Sequence, residues 1–272
     1  MLGRPVSAPQ IVGMIQHHFG PGKRHDRSGF PGDSLEVLCS IQTAMKFSLQ
    51  RFNAELIACR RCPRLVEHCS TVAREKRRAY RDWEYWGKPV PGFGDPNARV
   101  LLLGLAPGAH GSNRTGRMFT GDSSGNFLYP VLHAAGFASQ TSSTDVNDGM
   151  KLKDAYITAA VRCAPPDNKP SPAEIANCAE FLDRELPQLK RVKVVVALGR
   201  IGFEAYLNHL KRLGLITSKK QYAFGHGVQY QMPDGKWLLA SYHPSNQNTQ
   251  TGKLTAAMLA AALLAEPSAH GL

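Results

Sequence analysis

The 272-residue sequence predicts an α/β fold in which a mostly parallel sheet carries helices on both faces. Four short apolar runs, at residues 100–103, 156–163, 192–198 and 237–242, are typical of strands buried on both sides. Segments with helical periodicity separate these runs. A polar, glycine-rich loop follows the first strand, at the place where open parallel sheets bind their ligands.

The composition limits the class of protein. With 43% hydrophobic residues the chain can bury a sizeable core. No apolar run approaches the roughly 18 residues that a membrane span needs, and residues 1–26 lack the order of charged and then apolar residues that marks a signal peptide. We therefore expect a cytoplasmic protein with no membrane partner, whose six cysteines are thiols or metal ligands rather than disulfides.

The charge favours a polyanionic partner. The formal net charge is +12 and the pI is near 9.6. DNA or RNA is the default partner of a protein this basic, although a generally basic proteome or a basic tail gives the same charge. The charge by itself does not locate a site.

The first 42 residues carry several glycines and prolines without a sustained period, so we expect a poorly ordered extension at 1–42 and one domain at 43–272. Cys39 lies in this extension and is discounted as a ligand. A helix is predicted over residues 43–60, where apolar residues recur near a 3.6-residue period.

A basic stretch, residues 74–81 (REKRRAYR), is followed at once by Trp83, Tyr85 and Trp86. Basic residues interleaved with aromatic residues can hold phosphates and stack on bases. A solvated helix with Trp83 and Trp86 packed inward fits the same pattern. Both interpretations stay open at the level of the sequence.

The remaining elements alternate along the chain. Helices are predicted at residues 123–136, 171–187, 201–213 and 252–265, an edge strand at 228–232, and loops at 89–96 and 139–149. Ser171, Pro172 and Glu174 form a capping-box pattern at the start of the second of these helices.

The cysteine spacing indicates a metal site. Cys59 and Cys62 form a C-x2-C pair, Cys163 ends a predicted strand, and Cys178 lies on the following helix. Four thiolates suit either a cubane iron–sulfur cluster or a zinc ion, and sequence does not separate the two. Cys69 is a rival fourth ligand, and buried apolar thiols are the alternative for Cys163 and Cys178.

Four separate blocks, in this order, resemble the uracil-DNA glycosylase superfamily and within it family 5, the UDGb enzymes of bacteria and archaea. The blocks are GLAPGAHGSNRTGRMFTGDSSG (104–125), AAVRCAPPDNKP (159–170), ALGRIGFEA (197–205) and ASYHPSNQNTQTGKL (240–254). With the C-x2-C pair, the resemblance extends over residues 59–264.

The resemblance implies a three-layer α/β/α sandwich around a four-stranded, mostly parallel sheet. It implies one [4Fe-4S] cluster on Cys59, Cys62, Cys163 and Cys178, which favours iron over zinc and leaves Cys69 out. It further implies a monomeric enzyme, nucleoid-associated in a prokaryote, that removes uracil and other deaminated bases such as hypoxanthine from DNA. The abasic site that remains would enter base-excision repair. No lysine stands out as a Schiff-base nucleophile, so we expect no strand cleavage.

Three site residues follow from the resemblance and from the chemistry. His243, after the last strand, is expected to donate a hydrogen bond to the charge that develops on uracil O2; a histidine that only organises its loop is the alternative. Phe119 matches the family position whose ring stacks on uracil, although core packing is the usual role of phenylalanine. Asn168 matches a family active-site asparagine.

The residue that activates water is less obvious. Related families carry a carboxylate or an amide just after the first strand, but Leu105, Ala106, Gly108 and Ala109 cannot accept a proton. Asp122 is the nearest carboxylate, and we expect it to orient the water or to stabilise the cationic sugar. The same residue is also a good N-cap for the next helix. His110 and Asn113 are the alternatives for the water.

The other contacts are expected along the same loops. The residues expected to bind substrate, besides Phe119, are Gly104, Ala106, Gly108, His110, Asn113, Arg117 and Asn246. Asn246 and Gln247 would fill the space that an extruded base leaves. The residues expected to meet phosphates are Arg114, Arg117, Lys169 and Lys253.

Two competing functions remain. A non-catalytic module that binds uracil-containing or damaged DNA, with a structural iron–sulfur cluster, would explain the missing carboxylate after the first strand. A Rossmann-like cofactor enzyme is the weaker alternative, because GLAPG is not the G-x-G-x-x-G motif and no acidic residue ends the second strand.

Overall fold

A computed structural model of the protein describes residues 49–264. The predicted extension at 1–42 and the first part of the helix predicted at 43–60 lie outside the described residues. The described part of that helix, α1, covers residues 49–57.

The helices and strands follow the predicted alternation. The strands are β1 (Phe93–Gly94), β2 (Val100–Gly104), β3 (Ala155–Ala159), β4 (Val194–Leu198), β5 (Gln229–Gln231) and β6 (Trp237–Ser241). The further helices are α2 (Pro63–Glu75), α3 (Ser112–Thr115), α4 (Ser123–Ala134), α5 (Pro172–Glu185), α6 (Arg200–Arg212), α7 (Asn246–Gln250) and α8 (Ala256–Leu264).

The sheet of residues 49–264 has the order β1-β3-β2-β4-β6-β5. The four predicted strands, β3, β2, β4 and β6, form its parallel centre, which confirms the α/β prediction. The sheet is two strands wider than the four-stranded sheet that the resemblance implies, because β1 and β5 add short antiparallel edges. The edge strand β5 was predicted, whereas β1 has only two residues in a segment predicted as a loop.

Apolar residues on both faces of the sheet produce the three layers. Along β2, Leu102 packs with α4 and α8, whereas Leu101 and Leu103 pack with α5 and α6. Since every residue of β2 is buried, its continuous apolar run has the cause that the sequence predicts. Helix α6 approaches β2 closely at Gly202, where a Cβ would come within 2.3 Å of the Leu103 carbonyl oxygen.

The helix ends agree with their capping signals. The Ser171 hydroxyl accepts from the Glu174 amide at 3.2 Å, and the Glu174 carboxylate accepts from the Ser171 amide at 2.7 Å. This confirms the predicted capping box at α5. Helix α2 is not among the predicted helices; its segment is polar on average and buries only Leu65 and Cys69. Among residues 49–264 no helix combines the length and the apolar character that crossing a bilayer requires.

Candidate active site

A cleft of about 690 Å³ opens where the loops after β2, β3 and β6 meet. The parallel strands all point their carboxyl ends towards these loops, which is the usual ligand side of an α/β sheet. Of the residues that the sequence predicts for catalysis or substrate binding, the structure places these in the cleft wall: Asp122, His243, Asn168, Phe119, Ala106, Gly108, His110 and Asn246. Segments far apart in the chain therefore form one site.

Phe119 has a constrained position in the cleft. Its φ of +53° is a left-handed conformation that bulky residues rarely adopt. The ring lies over Gly104, where a Cβ would come within 3.1 Å of the Phe119 Cζ. The Phe119 carbonyl fits against Gly125, where a Cβ would be 1.8 Å away. The two glycines thus allow the ring to lie flat in the cleft wall, which explains why Gly104 supports the site without lining the cleft.

His243 faces the same space from the loop after β6. Its backbone carbonyl accepts hydrogen bonds from the Asn248 side-chain amide and the Ser245 amide, both at 2.8 Å, which hold the loop in place. Burial lowers the pKa of His243 to about 4. The imidazole is therefore neutral at pH 7 and carries one N–H. Within residues 49–264 no protein group hydrogen-bonds to either ring nitrogen, so the imidazole is available to a ligand.

The two carboxylate oxygens of Asp122 have different surroundings. One carboxylate oxygen, Oδ1, accepts from the Gly125 amide at 3.0 Å and caps α4. The other, Oδ2, lies over the first loop, 2.0 Å from the place where a Cβ on Gly111 would be and 2.9 Å from that of Gly108. Burial raises the pKa of Asp122, although the Gly125 and Ser124 amides and Arg114 oppose this shift. Asp122 also lines the cleft.

Asn168 reaches the cleft from the 3₁₀ turn Pro166–Asn168 that follows β3. Asp167 and Asn168 have φ values of +54° and +57°. Asparagine and aspartate tolerate this left-handed conformation better than most residues do. Both side chains are exposed, and the Asn168 amide has no partner among the described residues. It is free to pair with the edge of a base.

His110 is held by Tyr85. The Tyr85 hydroxyl lies 3.1 Å from His110 Nδ1 and also accepts the Arg77 amide at 3.5 Å. We assign the Tyr85 hydroxyl as the donor to Nδ1, because no other acceptor for its proton lies within hydrogen-bond reach in the described part of the chain. Burial and the nearby Arg77 and Arg114 lower the pKa of His110. With this assignment, the neutral ring of His110 carries its proton on Nε2.

Two residues predicted to bind substrate, Asn113 and Arg117, do not reach the cleft with their side chains. Asn113 is fully buried and donates to the Cys69 and Ala109 carbonyls. Arg117 is 3% exposed and forms an ion pair with Asp148 at 2.7 Å. Both side chains thus hold neighbouring segments of the chain together. Gly104 does not line the cleft either and lies beneath the ring of Phe119.

Arg114, which was expected at phosphates, is also buried. Its guanidinium lies between the rings of Tyr80 and Trp83, 4.0 Å from each centroid. It donates to the His110 and Gly121 carbonyls at 2.8 and 2.9 Å. Tyr80 and Trp83 therefore pack against Arg114 of the glycine-rich loop. This favours inward packing for Trp83 over stacking on a base.

The basic stretch also contributes residues that the sequence did not assign individually. Arg77 and Tyr80 line the cleft, together with Gln247 from α7. The signal was present as interleaved basic and aromatic residues. Which of them face the cleft depends on the path of the chain after α2, where Lys76 has a φ of +56°.

A second cavity contains the predicted metal ligands. The thiols of Cys59, Cys62, Cys163 and Cys178 line it, whereas Cys69 does not and donates instead to the Ala164 carbonyl. The ligands come from the end of α1, the start of α2, the segment after β3, and α5. The cavity therefore lies where these four parts of the chain meet.

The four thiols that line the cavity are the donor set of both zinc sites and iron–sulfur clusters. Thiolates around one zinc ion lie about 4 Å apart, and within residues 49–264 no three His, Cys, Asp or Glu side chains are grouped to hold one metal ion. The ligands of a cubane cluster bind four different irons and are more widely separated. One donor at the cavity has no acceptor among the described residues, the buried Arg162 Nε. The Asn177 side-chain amide donates to Cys62 Sγ at 3.6 Å.

Comparisons with known proteins place the chain in a family. The family model described as "Uracil DNA glycosylase superfamily" matches residues 91–265. The chain is 54% identical over 223 residues to the Type-5 uracil-DNA glycosylase of Thermus thermophilus, which covers 82% of this chain and 99% of that protein. It is 47% identical to the Type-5 enzymes of Mycobacterium leprae and Pyrobaculum aerophilum, over 78% of this chain and 91% and 89% of theirs.

Proposed function

The chain belongs to the uracil-DNA glycosylase superfamily, and on this premise we propose that it is a monofunctional uracil-DNA glycosylase. It hydrolyses the N-glycosidic bond of deoxyuridine in DNA and leaves an abasic site for base-excision repair. The observation that carries the proposal is the meeting of Phe119, Asp122, Asn168 and His243 in one cleft. The lining of this cleft contains no lysine among the described residues, which supports hydrolysis without a Schiff base.

The first step is extrusion of the nucleotide from the duplex, because the glycosidic bond is inaccessible in the stack. Asn246 and Gln247 are exposed at the cleft rim and are placed to fill the space that the base leaves. The net charge of +12 attracts the phosphate backbone, and Arg77 brings one positive charge to the cleft itself.

The extruded uracil then stacks on Phe119. The left-handed backbone of Phe119 and its close contacts with Gly104 and Gly125 fix the ring before the substrate arrives. The exposed amide of Asn168 pairs with the base edge, which has both a donor and an acceptor. Because Phe119 is constrained by its backbone and by the close contacts at Gly104 and Gly125, its ring needs little ordering when the base binds.

His243 stabilises the departing uracil anion. As the glycosidic bond lengthens, negative charge grows on O2, and a neutral N–H at this point strengthens its hydrogen bond in the transition state. A neutral donor also avoids an ion pair with the product. Asp122 Oδ2 holds the attacking water and faces the positive charge that develops on the sugar.

The same cleft has room for larger deaminated bases. Its volume of about 690 Å³ lies within the range of about 300–1,000 Å³ that is usual for small-molecule sites. We therefore extend the proposal to hypoxanthine, which presents a carbonyl oxygen and an N–H on its base edge as uracil does. No side chain described in the cleft wall excludes a purine on chemical grounds.

We propose that Cys59, Cys62, Cys163 and Cys178 hold one [4Fe-4S] cluster. The group supplies four covalent bonds between α1, α2, α5 and the segment after β3, and it takes no part in base removal. By joining α2 to the sheet, these ligands also position the Arg77–Tyr80 segment, which follows α2 and lines the cleft.

The deciding experiment uses the purified full chain with a labelled duplex that contains one uracil. After incubation, one half is treated with alkali and the other is not. We expect strand breaks only in the alkali-treated half, and a matched duplex with thymine should give none. Breaks without alkali would indicate a lyase. Binding to uracil DNA without any abasic product would support the non-catalytic module instead.

A further inference from the structure

Arg162 is buried beside the cysteine cavity and is not part of the active-site cleft. Its side chain is 1% exposed and lines the cavity with the four thiols. Its Nη2 forms an ion pair with Glu185, and Nη1 donates to the same carboxylate at 3.4 Å. Its Nε has no hydrogen-bond partner among the described residues.

Glu185 cannot satisfy the remaining donor. Its carboxylate already accepts from the Tyr156 hydroxyl at 3.1 Å and the Thr158 hydroxyl at 2.7 Å, besides Arg162. The two hydroxyls hold the carboxylate of Glu185, and this carboxylate binds the two terminal nitrogens of the guanidinium. A buried donor without a partner is unfavourable, so a group in the cavity is needed to accept the Nε hydrogen.

We propose that Arg162 Nε donates a hydrogen bond to a sulfur of the cluster held by the four cysteines, and that its charge offsets the negative charge of the four thiolates. This inference rests on the proposed cofactor and concerns its retention, not the removal of uracil. Tyr156, Thr158 and Glu185 orient the guanidinium, so Arg162 is a positioning and charge-balancing residue.

The proposal predicts that the wild-type protein loses its cluster more slowly than a variant without the Arg162 Nε donor. Removing a partner that hydrogen-bonds to metal ligands typically weakens metal retention about 10–100-fold. In the variant Arg162→Lys, the positive charge and a donor to Glu185 remain, but the Nε donor is lost. We expect its absorbance near 400 nm to decay at least about tenfold faster in the presence of an iron chelator.

Glu185→Gln is the matched control. It weakens the same buried ion pair and lowers the melting temperature, but it leaves Arg162 and its Nε in place. Its cluster should decay at the wild-type rate, and its Fe–S stretching frequencies in resonance Raman spectra should be unchanged, whereas those of Arg162→Lys should shift.

Two results would overturn the proposal. One is a wild-type decay rate in Arg162→Lys; the other is equally fast decay in Glu185→Gln, which would attribute cluster loss to lower fold stability. Wild-type protein that contains no iron would also refute it. This last failure is distinguishable from failure of the proposed function, because uracil release is measured separately on the same preparation.

Discussion

The ring centroids of Phe119 and His243 lie 5.9 Å apart, and the two ring planes are tilted by 31°. Phe119 belongs to the loop after β2, and His243 follows β6. Neither residue can be tied to the other by sequence spacing. Their proximity brings the proposed stacking surface and the proposed O2 donor to the same base.

Replacing His243 should slow catalysis more than binding. Loss of one preorganised donor to a developing oxyanion costs about 10²–10³ in rate. We expect His243→Ala to lower the single-turnover rate of uracil release by about this factor, with a much smaller change in the Kd for uracil DNA. His133→Ala, on the exposed end of α4, is the control. Equal rates for both variants would remove His243 from the mechanism.

The imidazole of His243 should stay neutral where ordinary histidines become charged. Burial lowers its pKa to about 4, whereas an unperturbed histidine has a pKa of about 6.5. Since the neutral form is the donor, its contribution should be lost only as the pH falls through about 4. Imidazole ¹⁵N shifts at pH 5.5, assigned with His243→Gln, measure this directly. A charged His243 at that pH would contradict the mechanism.

Gly111→Ala should displace the Asp122 carboxylate without changing any polar group. The added Cβ would lie 2.0 Å from Oδ2, so the carboxylate must move. Positioned acid–base groups contribute about 10²–10⁴ in rate, and we expect Gly111→Ala to lose much of what Asp122→Asn loses. Gly225→Ala, whose new Cβ meets only a Val228 methyl at 3.3 Å, is the control. Full activity in Gly111→Ala would argue against Asp122.

Tyr85→Phe should change the tautomer of His110. Without the hydroxyl donor, Nδ1 is free to carry the proton, and the ¹⁵N spectrum should show a mixture instead of the Nε2–H form alone. Tyr230→Phe loses a hydroxyl that bonds the Ala223 carbonyl at 2.9 Å and should leave His110 unchanged. A His110 tautomer that is the same in Tyr85→Phe and wild type would contradict the assignment.

Arg77→Ala should weaken DNA binding at all sequences. Removing one phosphate contact reduces the dependence of log K on log salt by about one. Arg191→Ala is the matched control, because Arg191 precedes β4 and is exposed at the opposite end of the sheet. Kd measured at several salt concentrations decides the question, and identical slopes for the two variants would exclude a phosphate contact for Arg77.

The strands and the ligand loop could be predicted because their signals are local. The apolar run of β2 and the glycines after it need no distant partner to be recognised. The roles of Arg114 and Arg117 could not be predicted, because charge indicates a phosphate contact only for an exposed side chain. Their burial depends on Tyr80, Trp83 and Asp148, which are brought near by tertiary packing.

Asp122 shows a different limit of sequence reasoning. Its pattern fits both an N-cap and a catalytic carboxylate. The structure shows the N-cap through Oδ1, and the catalytic role stays a proposal. The cysteines were more informative, since their spacing and the resemblance together named the four thiols that share a cavity.

The left-handed pair Asp167–Asn168 has a consequence for protein engineering. Glycine adopts this conformation at lower cost than either residue, and both side chains are exposed. A selection for heat resistance alone would therefore drive both positions towards glycine. Position 167 can follow that pressure, but at position 168 it would delete the amide that we propose pairs with the base. Under this proposal, thermostability and base recognition compete for adjacent residues.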